Sequence, residues 1–228
     1  MTCGIVAQHD PGLFGRRLSA TDHAGKPCLF LDRDGVLVEE TNYLHRCEDV
    51  MLIPGAAEAV AKANEMGVAV VMVTNQAGIG RGYYTWDEFD RVQEHILKLC
   101  GAFGAGWDLA LACAYHGDGI APYNQDGHFW RKPAPGMLLE AARILNIDLS
   151  RSHIVGDTLA DLQAGAQAGL PGGTLVFTGH GEQEWKRNGI SGFAEFQESG
   201  SFTPQLARDA GEAIGRWLAT LTARAGAE

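Results

Sequence analysis

No stretch of the 228-residue chain reaches about 18 uninterrupted apolar residues, the length that a membrane-crossing helix needs. A membrane is therefore not an expected partner. Basic residues are in the minority: 18 Lys and Arg against 28 Asp and Glu give a net charge of −10. Nucleic-acid binders usually carry a basic face, so nucleic acid is not an expected partner either. Cysteine is sparse. Cys3, Cys28, Cys47, Cys100 and Cys113 are odd in number and form no C-x-x-C, which suits reduced thiols in a cytoplasmic protein rather than a disulfide framework. The first 24 residues hold no apolar core of signal-peptide length. There is no internal repeat, and the 30 glycines are scattered. What is present, 46% hydrophobic residues, is enough for one globular domain with a full core.

Residues 1–26 show no sustained periodicity and read as an arm over a single domain, 27–228. Cys28 to Asp32 reads as a buried strand. The stretch Gly35 to Asp49 reads as a loop or small hairpin. Pro54 and Gly67 bracket a helix to Met66, following the usual Pro-start, Gly-end asymmetry. Val68–Thr74 is a continuous apolar strand, as in a parallel sheet covered on both faces. A glycine-rich loop follows to Tyr84, and Thr85 with Glu88 predicts a capping box and a helix to about Leu99. Further strands are expected at 108–113, 153–156 and 174–177, and further helices at about 136–145 and 158–168. The stretch 179–202 reads as loop, and Thr203 as the cap of a last helix from Pro204 to about Ala223. This alternation predicts an α/β fold with a mainly parallel sheet.

In such a sheet ligands gather at the carboxyl ends of the strands, and polar groups from four segments arrive there. The first strand ends in Asp32-Arg33-Asp34-Gly35, the second in Thr74-Asn75 and the fourth in Gly156-Asp157, with Asp161 a turn later; Arg131-Lys132 closes the long loop after the third. Side chains two apart on a strand share a face, so Asp32 and Asp34 can serve one site. Two such acids suit a hard divalent cation, or chemistry split between a nucleophile and a proton carrier. Taken alone, the pair is equally compatible with a strand ending in a solvated acidic turn.

The order Asp32-x-Asp34-Gly35, Val73-Thr74-Asn75, Lys132-Pro133 and Gly156-Asp157-x-x-x-Asp161 resembles the four-motif signature of the haloacid dehalogenase (HAD) superfamily of phosphatases. The wording around Thr74-Asn75-Gln76-x-Gly78-Ile79-x-Arg81-Gly82 and Arg131-Lys132-Pro133-x-Pro135-Gly136-Met137 is similar to the subfamily holding D-glycero-D-manno-heptose 1,7-bisphosphate 7-phosphatase and histidinol-phosphate phosphatase. The resemblance implies a Rossmann-like, HAD-like parallel sheet with helices on both faces. The intervals between motifs leave no room for a large cap domain. It implies an Mg²⁺-dependent phosphomonoesterase acting on a small phosphorylated metabolite. A heptose bisphosphate is expected; histidinol phosphate and a non-catalytic phospholigand-binding role on the same fold are the alternatives.

Asp32 is the expected nucleophile, forming an aspartyl-phosphate, and Asp34 the acid and base. Thr74 is expected to hydrogen-bond phosphate oxygens, and Lys132 to meet charge on the transferring group. Metal ligands are expected from Asp32 and Asp157, and the resemblance adds the backbone carbonyl of Asp34. Asp161 either braces the metal site or serves its helix N-terminus. Substrate contacts are expected from Glu40, Thr41, Asn42, Tyr43, Asn75, Arg81 and Arg131, to which the motif wording adds Arg33 and Gln76. Arg131 and Arg81 are placed on a second anionic group.

Many members of the subfamily bind a structural Zn²⁺ in the loop before the Lys motif, through Cys-x-His and Cys-x-Cys. Here Tyr115 stands where the His would be, and His128-Phe129-Trp130 carries neither thiolate. No zinc is expected, and Phe129 and Trp130 are expected to pin the loop by packing. The chain is expected to be monomeric.

Overall fold

The computed structural model describes residues 10–199 and 201–225, so Cys3 and most of the expected arm's first third lie outside the described residues. Strands β1 (Leu13–Arg17), β2 (Cys28–Leu31), β3 (Ala69–Asn75), β4 (Leu109–Cys113), β5 (His153–Gly156), β6 (Gly172–Val176) and β7 (Thr203–Ala207) form one sheet in the order β1-β4-β3-β2-β5-β6-β7. All neighbours are parallel except β1 and β4. The helices are α1 (Ala56–Glu65), α2 (Ala77–Gly80), α3 (Trp86–Gly101), α4 (Gly136–Leu145), α5 (Leu159–Gln167), α6 (Gly181–Ser199) and α7 (Ala210–Ala225).

The apolar runs explain the layers. Alternate residues of a strand face opposite sides. Leu29, Leu31, Val70 and Met72 pack with α1, α3 and α7 on one side. Cys28, Phe30, Val71 and Val73 pack with α4, α5 and Phe196 of α6 on the other. Helix α3 starts at the expected capping box: Glu88 N–H donates to Thr85 Oγ1 at 3.3 Å and Thr85 N–H to Glu88 Oε2 at 2.8 Å.

Three expectations are corrected. Part of the expected arm is β1, the antiparallel edge of the sheet, tied to α3 by Arg16, which reaches Asp90 and, at 3.2 Å, Glu94. The expected loop at 179–202 is largely α6. Its glycines serve packing: a Cβ at Gly189 would lie 2.0 Å from the Trp185 ring, and one at Gly192 2.6 Å from Leu159. Thr203 caps no helix. It opens β7, where Pro204 is tolerated on an edge strand, and Asp209 caps α7 by accepting Glu212 N–H at 2.9 Å.

The chain runs outward from β2 through β3 to β4, and on the other side from β5 through β6 to β7. Strand order therefore reverses between β2 and β5, which opens a crevice at their carboxyl ends.

Beneath that crevice, His153 is buried, with Nε2 2.9 Å from Thr174 Oγ1 and its ring stacked on Trp217 at 5.6 Å. Burial lowers its pKa from 6.5 to about 4. Between those values the unfolded chain carries the proton and the folded one does not, so this contribution is complete above pH 6.5 and lost on the way down to pH 4. The loss is about 3 kcal/mol. Urea unfolding across that range is expected to show the slope in the natural chain and a flatter profile in His153→Gln, which keeps a partner for Thr174.

Candidate active site

Lys132 is 4% exposed and sits where the four segments meet. Its Nζ lies 2.5 Å from Asp161 Oδ1 and 3.1 Å from Asp32 Oδ1, and donates to the Val73 carbonyl at 2.9 Å. Burial pulls its pKa down, but Asp161 and Asp32 more than reverse this and keep the ammonium charged. Asn75 seats the Lys132 backbone: its Nδ2 donates to the Lys132 carbonyl at 2.9 Å, and its Oδ1 accepts Lys132 N–H at 3.1 Å. Asp161 has a double task. Its second oxygen accepts from Thr158 N–H at 3.1 Å and from Thr158 Oγ1 at 2.7 Å, capping α5.

Asp32, Asp157 and Asp161 bring carboxylate oxygens within 4.8 Å of one another. Burial pushes the Asp32 pKa up to about 7, opposed by Lys132 and reinforced by Asp161 and Asp34. Burial and Asp32 push Asp157 well above the carboxylate range. Two buried acids and the partly buried Asp32 against one ammonium leave negative charge unmatched, and an all-oxygen donor set of this kind fits a hard divalent cation. The Asp34 carboxylate is not in this group; the third carboxylate is Asp161. Asp157 Oδ2 accepts the N–H of His180 at 2.8 Å. It is packed so closely that a Cβ on Gly35 (φ +74°) or Gly179 (φ +55°) would lie 2.3 Å from it. Glycine is required at both positions on backbone and on space.

A family model described as haloacid dehalogenase-like hydrolase matches residues 11–169, which include every side chain of this cluster. The chain belongs to this family. This HAD-like hydrolase is 49% identical, over 150 residues covering 66% of it and 69% of the relative, to the D-glycero-beta-D-manno-heptose-1,7-bisphosphate 7-phosphatase of Mesorhizobium japonicum. A crystal structure of a HAD-like phosphatase from Mesorhizobium loti matches it with TM-score 0.72 and 46% identity, covering 73% of this chain and 80% of that one. A D,D-heptose 1,7-bisphosphate phosphatase from B. bronchiseptica, complexed with magnesium and phosphate, matches with TM-score 0.70 and 28% identity, covering 85% and 99%. The HAD-like hydrolase is accordingly a phosphatase, an enzyme that hydrolyses phosphate esters.

Two residues expected on the substrate lie beneath the site of this HAD-like hydrolase instead. Arg33 is 0% exposed. Its Nε and Nη2 clamp Asp34 Oδ2 at 3.1 and 2.8 Å, and its guanidinium lies over Phe89, 5.2 Å from the ring centroid. Gln76, 2% exposed, donates to Asp34 Oδ2 at 3.1 Å and to Thr74 Oγ1 at 2.8 Å, and accepts from the Tyr84 hydroxyl. Both orient Asp34, whose carboxylate is turned onto them. Thr74, buried at the strand end, accepts from Gln76 and so has its hydroxyl hydrogen to donate elsewhere.

The remaining expected contacts form a rim. Glu40 Oε1 accepts Asn42 N–H at 2.6 Å, and burial together with nearby Asp34 raises its pKa. Thr41 and Tyr43 line a shallow surface pocket with His45 and Met51. Asn42 (φ +54°) and Tyr43 (φ +67°) turn the chain so that the Tyr43 hydroxyl accepts from Arg81. Arg81 Nη2 donates to Asp118 Oδ2 at 3.2 Å and stands 3.2 Å from His116 Nε2. His116 Nδ1 accepts Asp118 N–H at 3.0 Å, which places the neutral ring's hydrogen on Nε2. Arg81 and His116 thus bring two N–H donors to within 3.2 Å of each other, beside the Asp118 carboxylate that takes one of the Arg81 hydrogens. Arg131, held by the Tyr115 carbonyl at 3.1 Å, is near enough that, after burial, Arg131 and then Arg81 lower the His116 pKa.

The loop before Lys132 is held by packing. Phe129 is 55% exposed and packs on Gly136, where a Cβ would lie 2.7 Å from its ring, while Trp130 packs against the core. The stack of Tyr115 on His128, 4.3 Å between centroids, adds to the hold on the loop. Burial raises the Cys113 thiol to about 11, and His116 faces Arg81 rather than Cys113. Sequence reasoning missed His180, whose N–H fixes Asp157; its place directly beyond the carboxyl end of β6 was the available signal.

Removing Arg33 strands Asp34 without its clamp. Arg33→Ala is expected to lower stability by about 3 kcal/mol in urea unfolding. Arg46→Ala, which removes a surface partner of Glu48, is expected to change it little.

Proposed function

We propose that the protein is a D-glycero-D-manno-heptose 1,7-bisphosphate 7-phosphatase working through an aspartyl-phosphate with Mg²⁺. The chemistry rests on the buried contact of Lys132 with Asp32 and Asp161 at the point where strand order reverses. The substrate rests on the name of the Mesorhizobium japonicum relative and on the converging donors of Arg81, His116 and Arg131 at the rim.

Asp32 attacks phosphorus, the bond to the sugar oxygen breaks, and water then cleaves the phosphate from Asp32. The covalent route splits one hard displacement into two easier ones. Lys132 meets the charge that spreads over the phosphoryl oxygens, and Asn75 keeps it seated. The Thr74 hydroxyl donates to a phosphate oxygen. Asp34 protonates the leaving alkoxide and later accepts the water's proton, turning away from Arg33 and Gln76 to do so. Asp32, Asp157 and the Asp34 carbonyl would hold Mg²⁺, which when bound offsets the charge between phosphate and carboxylate. Tyr43 covers the sugar, and Arg81, His116 and Arg131 take the second phosphate. The same reading has the protein act as a cytoplasmic monomer whose loop needs no zinc.

Asp32→Asn is expected to cut turnover to below about 1%, since an amide is no nucleophile here, with the circular dichroism spectrum unchanged. Asp34→Asn is expected to cost about 10²–10⁴-fold on a sugar phosphate and clearly less on p-nitrophenyl phosphate, whose leaving group needs no proton. Equal losses on both would remove Asp34 from the acid role.

Arg131→Ala is expected to raise KM for the sugar bisphosphate about tenfold more than for the matching monophosphate. The same factor on both would move Arg131 off the second phosphate.

A further inference from the structure

Helix α6 lies beyond residues 11–169, the part matched by the family model. Its two faces do different things. Trp185, Phe193 and Phe196 anchor it: Trp185 meets Phe193 edge-on at 5.1 Å, and Phe196 meets Phe202 at 5.1 Å. The other face carries Glu184, Asn188, Ser191 and Glu195. Steps of four, three and four residues set these side chains in one line along the helix. That line borders a cavity of about 560 Å³, which Asn75, Arg131 and Lys132 also line.

Asn75 and Lys132 join this cavity to the transfer site, since Lys132 touches Asp32 and Asn75 holds the Lys132 backbone. Lys132 and Asn75 therefore stand between this cavity and Asp32, which does not itself line it. The α6 wall is unsuited to a second phosphate, because Glu184 and Glu195 repel it. Carboxylate, amide and hydroxyl oxygens in a row do suit the O–H donors of a sugar. Arg131, which also lines the cavity, belongs with Arg81 and His116 to the donors for the anionic end.

We propose that the Glu184–Asn188–Ser191–Glu195 face of α6 is a polyol-binding subsite that holds the hydroxyl-bearing body of a sugar phosphate. The subsite rests on the phosphatase reading and deepens it: α6 supplies a fixed wall, and selectivity for hydroxylated substrates comes from it.

Glu184→Ala, Asn188→Ala and Glu195→Ala are made singly and together. None of the three residues is buried, and Ala is the best helix former, so the helix is retained. KM and kcat are measured on heptose bisphosphate, glucose 6-phosphate, histidinol phosphate and p-nitrophenyl phosphate. The triple variant is expected to raise KM for the sugar phosphates about tenfold more than for p-nitrophenyl phosphate, with kcat on the sugars little changed. Equal changes on all substrates, or none, would overturn the subsite. A larger loss on histidinol phosphate than on the sugars would overturn it too, by assigning the carboxylates to an ammonium group. Rejection of heptose bisphosphate with a selective effect on glucose 6-phosphate would sink only the heptose reading. Turnover of no sugar phosphate at all would sink both.

Discussion

The Lys132 ammonium, closed in among Asp32, Asp161 and the Val73 carbonyl, is the contact on which the arrangement depends. It joins the ends of three strands: Asp32 follows β2, Val73 lies in β3 and Asp161 opens the helix after β5. A buried charge without partners is costly, and this one has three. Each partner is held in turn, Asp161 by Thr158 and the Lys132 backbone by Asn75. Because the cation ties β3 to the acids that follow β2 and β5, the fold and the geometry of the acid cluster are hard to separate at this point.

A second layer of side chains sets where the strand-end acids point. Arg33 and Gln76 carry no exposed surface worth the name, yet they decide where Asp34 points. Gly35 and Gly179 leave the space in which Asp157 lies. Arg33 and Gln76 lie buried behind Asp34 and hold its geometry.

The central strands were legible because burial on both faces leaves an unbroken apolar run, as in Ala69–Asn75, and because Gly and Pro mark the ends of α1. The strand-end positions of Asp32 and Asp157 made the carboxylate cluster legible for the same reason. Strands β1 and β7 were not, since an edge strand is only half buried and tolerates Arg16, Arg17 and Pro204. Helix α6 was hidden by Gly189 and Gly192, which read as loop residues and act as packing surfaces for Trp185 and Leu159. That Arg33 and Gln76 are buried on Asp34 was not legible, because closeness to a motif in sequence says nothing about which way a side chain turns once the strand has ended.

The two edges of the sheet bear on how the protein behaves at high concentration. An open edge offers unpaired backbone groups to a strand from another molecule, the first step toward fibrous aggregates. Here β1 pairs antiparallel with β4 and places two arginines, Arg16 and Arg17, at its outer margin, while β7 carries Pro204, which has no N–H to give. Among the described residues, the seven-stranded sheet is thus bounded by a strand with two arginines at one side and by a missing donor at the other, and edge-to-edge addition is discouraged at both.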